Sequence, residues 1–248
     1  MRKNFALVLL LLVFATQFAR GTPSGLNNIP TADTAPQGTF VLQVYSTVGA
    51  ERDSDFNIGF KTGLEVDPLR FEFGADSHLY PGVDGPVVLQ GKVAFPFGDH
   101  LPTIAAGVAN DAFTESERNR SGQPFGYAVV TEDLGLLRVT AGCGVQNGDA
   151  LPFVGLDRTF KISTPNPQSV AGGAGRGPGS GDRNAALVTR DLFTLRADAI
   201  EQHGGDWLYS AGVLVPVFKY FVIETWGNFP SNGAPPSVTL KGDLVFSF

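Results

Sequence analysis

The sequence predicts an all-β protein, a transmembrane antiparallel up-and-down β-barrel of about twelve strands, with ten as the alternative count. Three observations carry this. Apolar and polar residues alternate with a period of two in segment after segment. The segments run to roughly ten residues, the length with which a tilted strand crosses a bilayer. Aromatic residues gather at segment ends, where the two membrane interfaces would lie. No stretch reaches the roughly 18 consecutive apolar residues of a membrane helix, and long helix-period patterns are absent.

At the start of the chain, Arg2 and Lys3 precede an apolar run over 5–14, followed by Ala19-Arg20-Gly21. This is the layout of a secretory signal peptide, and the run is too short to span as a helix. The competing reading is a buried N-terminal helix. Residues 1–21 are therefore set aside as a leader. They hold three basic residues and no acidic one, so the remaining chain is more acidic than the formal net charge of −6. Residues 22–38 read as a short extended segment ahead of a barrel over 39–248.

The alternation is clearest in five segments. In 56–64, Phe56, Ile58, Phe60, Thr62 and Leu64 oppose Asn57, Gly59, Lys61 and Gly63. In 69–76, Leu69, Phe71, Phe73 and Ala75 oppose Arg70, Glu72, Gly74 and Asp76. In 87–97, Leu89, Val93, Phe95 and Phe97 oppose Gln90 and Lys92; in 137–146, Val139, Ala141 and Cys143 oppose Arg138, Thr140 and Gly142. In 238–248, Leu240, Leu244, Phe246 and Phe248 oppose Thr239, Lys241, Asp243 and Ser247. Weaker versions fall at 39–49, 102–110, 124–132, 152–162, 191–201, 206–216 and 218–228. Turn signals lie at 65–68, 98–100, 133–135 and 204–205. The stretch 163–190 reads as a flexible insertion with a Gly/Pro-rich centre. Its apolar end, 185–188, extends the ninth strand.

A soluble sandwich also alternates, but with its polar face outside. Two details favour a bilayer. The polar face mixes small residues with both signs of charge, as a crowded interior allows. The aromatics also sort into two girdles: Phe40, Phe95, Phe97, Phe160, Phe193, Phe221, Phe246 and Phe248 on one rim, and Phe56, Phe125, Tyr127, Trp207 and Tyr209 on the other.

The last strand, with polar Lys241 followed by Phe246 and a terminal Phe248, resembles the assembly signal of Gram-negative outer-membrane β-barrel proteins. The usual glycine of that pattern is displaced to Gly242, with Asp243 in its place. The segment 25–40 is similar to the start of some exopolysaccharide-associated barrels of that class. The resemblance implies an outer-membrane location reached through the periplasm, outer-membrane lipid as surroundings, and the barrel-assembly machinery as a partner.

Several chemistries find no support. An acidic chain without a basic cluster argues against nucleic acid. The single cysteine, Cys143, excludes an internal disulfide framework and a thiolate metal cage. His78, His100 and His203 sit in separate turns without ligand spacing, so no metal is expected. Ser210 lacks the glycine two residues earlier that a nucleophile elbow needs. The glycines of 171–183 lack dinucleotide-binding spacing and strand–helix context, so no cofactor is expected. The remaining constellation is the set of lumen-facing polar residues: Lys61, Arg70, Glu72, Asp76, Gln90, Lys92, Arg138, Asp157, Arg196, Asp198, Glu224, Lys241 and Asp243. They either border a narrow pore or pair and fill it. The expected function is non-enzymatic: a porin-like channel or transport-associated barrel for small polar solutes. The alternatives are an outer-membrane lipid-modifying enzyme and a secreted carbohydrate-binding β-sandwich.

Overall fold

The computed structural model describes residues 25–49, 52–79, 87–98, 101–112, 123–165 and 187–248. The leader assigned to 1–21, His100 and the glycine-rich centre of the 163–190 insertion lie outside them. The strands are β1 (Thr39–Gly49), β2 (Arg52–Val66), β3 (Leu69–Leu79), β4 (Val87–Pro96), β5 (Thr103–Ala112) and β6 (Phe125–Asp133), then β7 (Arg138–Gln146), β8 (Asp149–Pro165), β9 (Leu187–Glu201), β10 (Trp207–Phe218), β11 (Phe221–Pro230) and β12 (Ser237–Ser247). Each pairs antiparallel with its sequence neighbours, and β1 pairs with β12, so twelve strands close into one barrel. The closing register runs from Thr39 opposite Ser247 to Gly49 opposite Ser237. Closure leaves no open edge, the condition for a sheet to stand in lipid. We call the end where β1 begins and β12 finishes the lower rim, and the opposite end the upper rim.

The period of two sets the two environments. On β3, Phe73 is 50% exposed and points outward, while its neighbour Glu72 is 4% exposed and points inward. On β12, Leu240 is 58% exposed and Thr239 2%. Apolar side chains outside and buried carboxylates and ammonium groups inside are the reverse of a water-soluble sandwich, and that reading falls. The barrel is transmembrane.

The turns follow local chemistry. Asn147 and Gly148, at φ 55° and 87°, form a two-residue hairpin between β7 and β8, the left-handed pair that matches strand twist. At the lower rim, Asp133 accepts the Gly135 N–H at 2.7 Å, with Gly135 at φ 81°. Strands β8 and β9 are longer than a crossing requires, at 17 and 15 residues. They continue past the Phe160–Phe193 pair as an exposed hairpin, with Ser163 and Thr189 hydroxyls 3.0 Å apart.

The lower aromatic girdle is present. Phe40 stacks on Phe60 at 5.5 Å and lies 6.4 Å from Phe246, Phe95 meets Phe97 edge-on at 4.9 Å, and Phe160 stacks on Phe193 at 4.7 Å. The upper girdle needs a correction. Phe56, Tyr209 and Phe229 are exposed there, but Phe125 and Tyr127 point into the barrel and pack against its core. That core lies inside the barrel, where Leu26, Ile29 and Ala32 meet Ala94, Ala105, Val129, Phe153 and Ile200. Phe125 and Tyr127 turn inward because an apolar strap waits for them there.

Candidate functional site: a lumen crossed by the N-terminal segment

The described part of the N-terminal segment, 25–38, does not stand ahead of the barrel. It lies across its interior. It begins with a tight turn in which Gly25 and Pro30 bridge and the Leu26 N–H donates to Ile29 O at 3.0 Å. It then runs extended toward the lower rim, bridging Gly63 of β2 through Gln37. At its end the Phe248 N–H donates to Gly38 O at 3.1 Å.

A buried segment outside the sheet must still satisfy its backbone donors. Lumen side chains accept them. The Asn27 and Asn28 N–H groups donate to Asp198 at 2.9 and 3.4 Å, the Ala32 N–H to Thr131 at 2.9 Å, and the Ala35 N–H to Glu72 at 2.7 Å. Lys92 Nζ donates to Thr31 O at 3.0 Å. Side chains add to this: Asn27 donates to Ser210 at 3.1 Å, Asn28 to Asn228 at 2.8 Å, and Arg138 Nη1 pairs with Asp33 at 2.7 Å. The strap is thus held by β2, β3, β4, β6, β7, β9, β10 and β11.

Two glycines make room for it. A Cβ on Gly63 would overlap Ala35 O, and one on Gly155 would overlap Leu26 Cδ1. The first conflict is with backbone, which has no rotamer by which to yield.

The other lumen charges are paired among themselves, as charges withdrawn from water must be. Arg196 Nη1 meets Glu224 at 2.7 Å, and Lys241 Nζ meets Glu224 at 3.1 Å and Asp243 at 3.3 Å. Gln43 donates to the other Asp243 oxygen at 3.1 Å. Arg138 Nε donates to both Asp157 oxygens, at 3.2 and 3.0 Å. Lys92 faces Glu72 at 3.9 Å, and Gln90 donates to Asp76 at 3.0 Å. Arg70 stands at the lower rim, half exposed, 3.9 Å from Glu65. Removing one partner from a buried pair costs about 3–5 kcal/mol, so this lattice also fixes the barrel's cross-section.

Above the strap the lumen opens. A cavity of about 880 Å³ has Gly25 to Pro30 as its floor and reaches the upper rim at Gln202, His203, Asp206 and Asn232. Its walls carry Tyr45, Lys61, Glu72, Asp76, Gln90, Phe125, Tyr127, Glu224, Trp226, Asn228 and Lys241. His203 at this rim bonds Asp149 at 2.6 Å and Gln146 at 3.3 Å. Among the described residues no group of three or more His, Cys, Asp or Glu is placed to hold a metal. Ser210 Oγ donates to Asp198 at 2.5 Å beside Asn27, so its hydroxyl belongs to the seat of the strap. Cys143 is exposed on the outer face.

No protein-family model matches the sequence, and no curated protein matches it. Solved structures do match the fold. A KdgM porin aligns with a TM-score of 0.56 at 7% identity, over 83% of this chain and 99% of that one. A KdgM porin in complex with disordered oligogalacturonate aligns with a TM-score of 0.52 at 7% identity, over 84% and 99%. A NanC porin aligns with a TM-score of 0.47 at 9% identity, over 83% and 98%. At such identities the likeness is one of fold alone.

Proposed function

We propose that the protein is a porin-like barrel of the outer membrane that passes small polar solutes, and that residues 25–38 close its path. The observation that carries this is the 880 Å³ vestibule, which is polar, open at one rim and floored by a segment that side chains hold. Among the described residues, the strap's backbone pairing to the barrel is confined to its lower end, at Gln37–Gly63, Pro36–Thr39 and Gly38–Phe248. The strap can therefore leave without breaking the barrel ladder, which membrane strands cannot do. The seat at Asp198, Glu72 and Arg138 sets what that departure costs. A channel rather than an enzyme is also favoured by the engagement of Ser210 in that seat.

Planar-bilayer recording tests this. The full chain is expected to show low or rare conductance, and a chain lacking 25–36 a steady, larger one. Because the deletion leaves Asp198 and Glu72 without their N–H donors, a second variant keeps the segment. Gly63→Val drives a side chain into Ala35 O and should open the path in an otherwise intact barrel. If both variants migrate as heat-modifiable barrels yet conduct no more than the parent, the closed-channel reading falls.

A further inference from the structure

We propose that the vestibule is a binding site for a neutral, polyhydroxylated solute of one or two sugar-sized rings, and that it disfavours polyanions. The inference rests on the porin reading for how solute arrives, but the site itself is defined by its walls. Its volume of about 880 Å³ lies within the roughly 300–1,000 Å³ range of small-molecule sites.

The walls combine two kinds of group. Amides at Gln90, Gln202 and Asn228 both donate and accept, as the hydroxyls of a neutral solute do. Tyr45, Tyr127 and Trp226 supply aromatic surface of the kind that covers apolar C–H faces. Trp226 is 9% exposed, and its indole N–H has no acceptor. That N–H is itself enclosed, so a solute in the vestibule meets the ring and not this donor.

Charge decides the class. The walls carry four carboxylates, Glu72, Asp76, Asp206 and Glu224, against two ammonium groups, Lys61 and Lys241. Lys241 is already bound to Glu224 and Asp243, so no basic track runs through the vestibule to hold a polyanion. The carboxylates offer a cation little more. Glu224 is taken by Arg196 and Lys241, Glu72 by Ala35 N–H with Lys92 beside it, and Asp76 by Gln90. Asp206 and Lys61 add one charge of each sign, and neutral amides and aromatic faces make up much of the remaining wall.

The chain has two tryptophans, Trp207 and Trp226, so a Trp207→Phe background makes Trp226 the sole indole reporter. Purified protein in detergent is titrated with maltose, a galacturonate dimer and glucosamine, with heat-modifiable migration confirming each fold. Maltose is expected to give a saturable change in Trp226 emission, at least tenfold tighter than either charged probe. Tyr45→Ala is expected to weaken it at least tenfold. A maltose response absent from both fluorescence and calorimetry overturns the proposal, as does equal or tighter binding of either charged probe. Conductance of the same preparation separates the two readings. Binding without conductance in any variant removes the channel, and conductance without maltose binding removes this site.

Discussion

A single residue of this chain is assigned to lipid or lumen by the parity of its position, and the sequence displays that assignment wherever the two faces differ in polarity. Phe73 and Leu240 against Glu72 and Thr239 are unambiguous. Parity was not legible on β6, where Phe125, Tyr127 and Val129 oppose Gly126, Ala128 and Val130. Both faces are apolar there, and the larger set faces inward because Leu26, Ile29 and Phe153 form an apolar core inside. The charges were legible as inward-facing, but their partners were not. Pairing such as Arg196 with Glu224 depends on which strands become neighbours. Face assignment predicts a stability contrast. Phe73→Arg places a cation in hydrocarbon and should destabilise the barrel by about 2–4 kcal/mol. Gln90→Arg, on β4 beside Asp76, keeps its charge in the vestibule with a carboxylate in reach and should change stability by less than about 1 kcal/mol. Urea unfolding in micelles measures both, and equal losses would contradict the separation of the faces.

At the scale of elements, strands were readable because a period of two repeated over a crossing length is hard to produce otherwise. The strap was not. Its buried apolar residues Leu26, Ile29, Ala32 and Ala35 recur every third position, a spacing that neither a strand nor a helix sustains over such a run. That spacing was the available signal, and it suits a strap that runs extended past its opening turn. β12 separates two roles that sequence alone merges. Phe248 is 90% exposed and Phe246 is 46% exposed, so neither is held in a packed interior. Replacing both with Ser should cost little in spontaneous refolding into detergent, yet should block membrane assembly in cells if they serve as the recognition signal. Heat-modifiable migration of the cell-expressed variant is the measurement. Normal assembly would remove the recognition role, and an equal failure to refold in detergent would make the role structural.

For the whole molecule, the even strand number places both ends of the barrel at one rim and leaves two orientations across the membrane. The connections distinguish them. At the lower rim, the links at 67–68, 134–137 and 219–220 are short and 97–102 is longer; the upper rim carries longer ones at 80–86, 113–124, 202–206 and 231–236 beside short ones at 50–51 and 147–148. Membrane barrels keep short turns on the periplasmic side and longer loops outside. The link from β8 to β9, over 166–186, is the longest at the lower rim and runs against that habit. It stands at the lower rim whichever way the barrel is inserted, and the four longer upper links are set against it. On the balance of these links we expect the vestibule to face the outside, with the strap entering its seat from below. Cysteines at Asn232 and Leu136, both exposed and each placed singly in a Cys143→Ser background, read the orientation directly. On intact cells a membrane-impermeant maleimide should label Asn232→Cys fully and Leu136→Cys only after the outer membrane is permeabilised. The reverse pattern would turn the vestibule toward the periplasm, and the solute would then meet the strap before it meets the amides and aromatics of the wall.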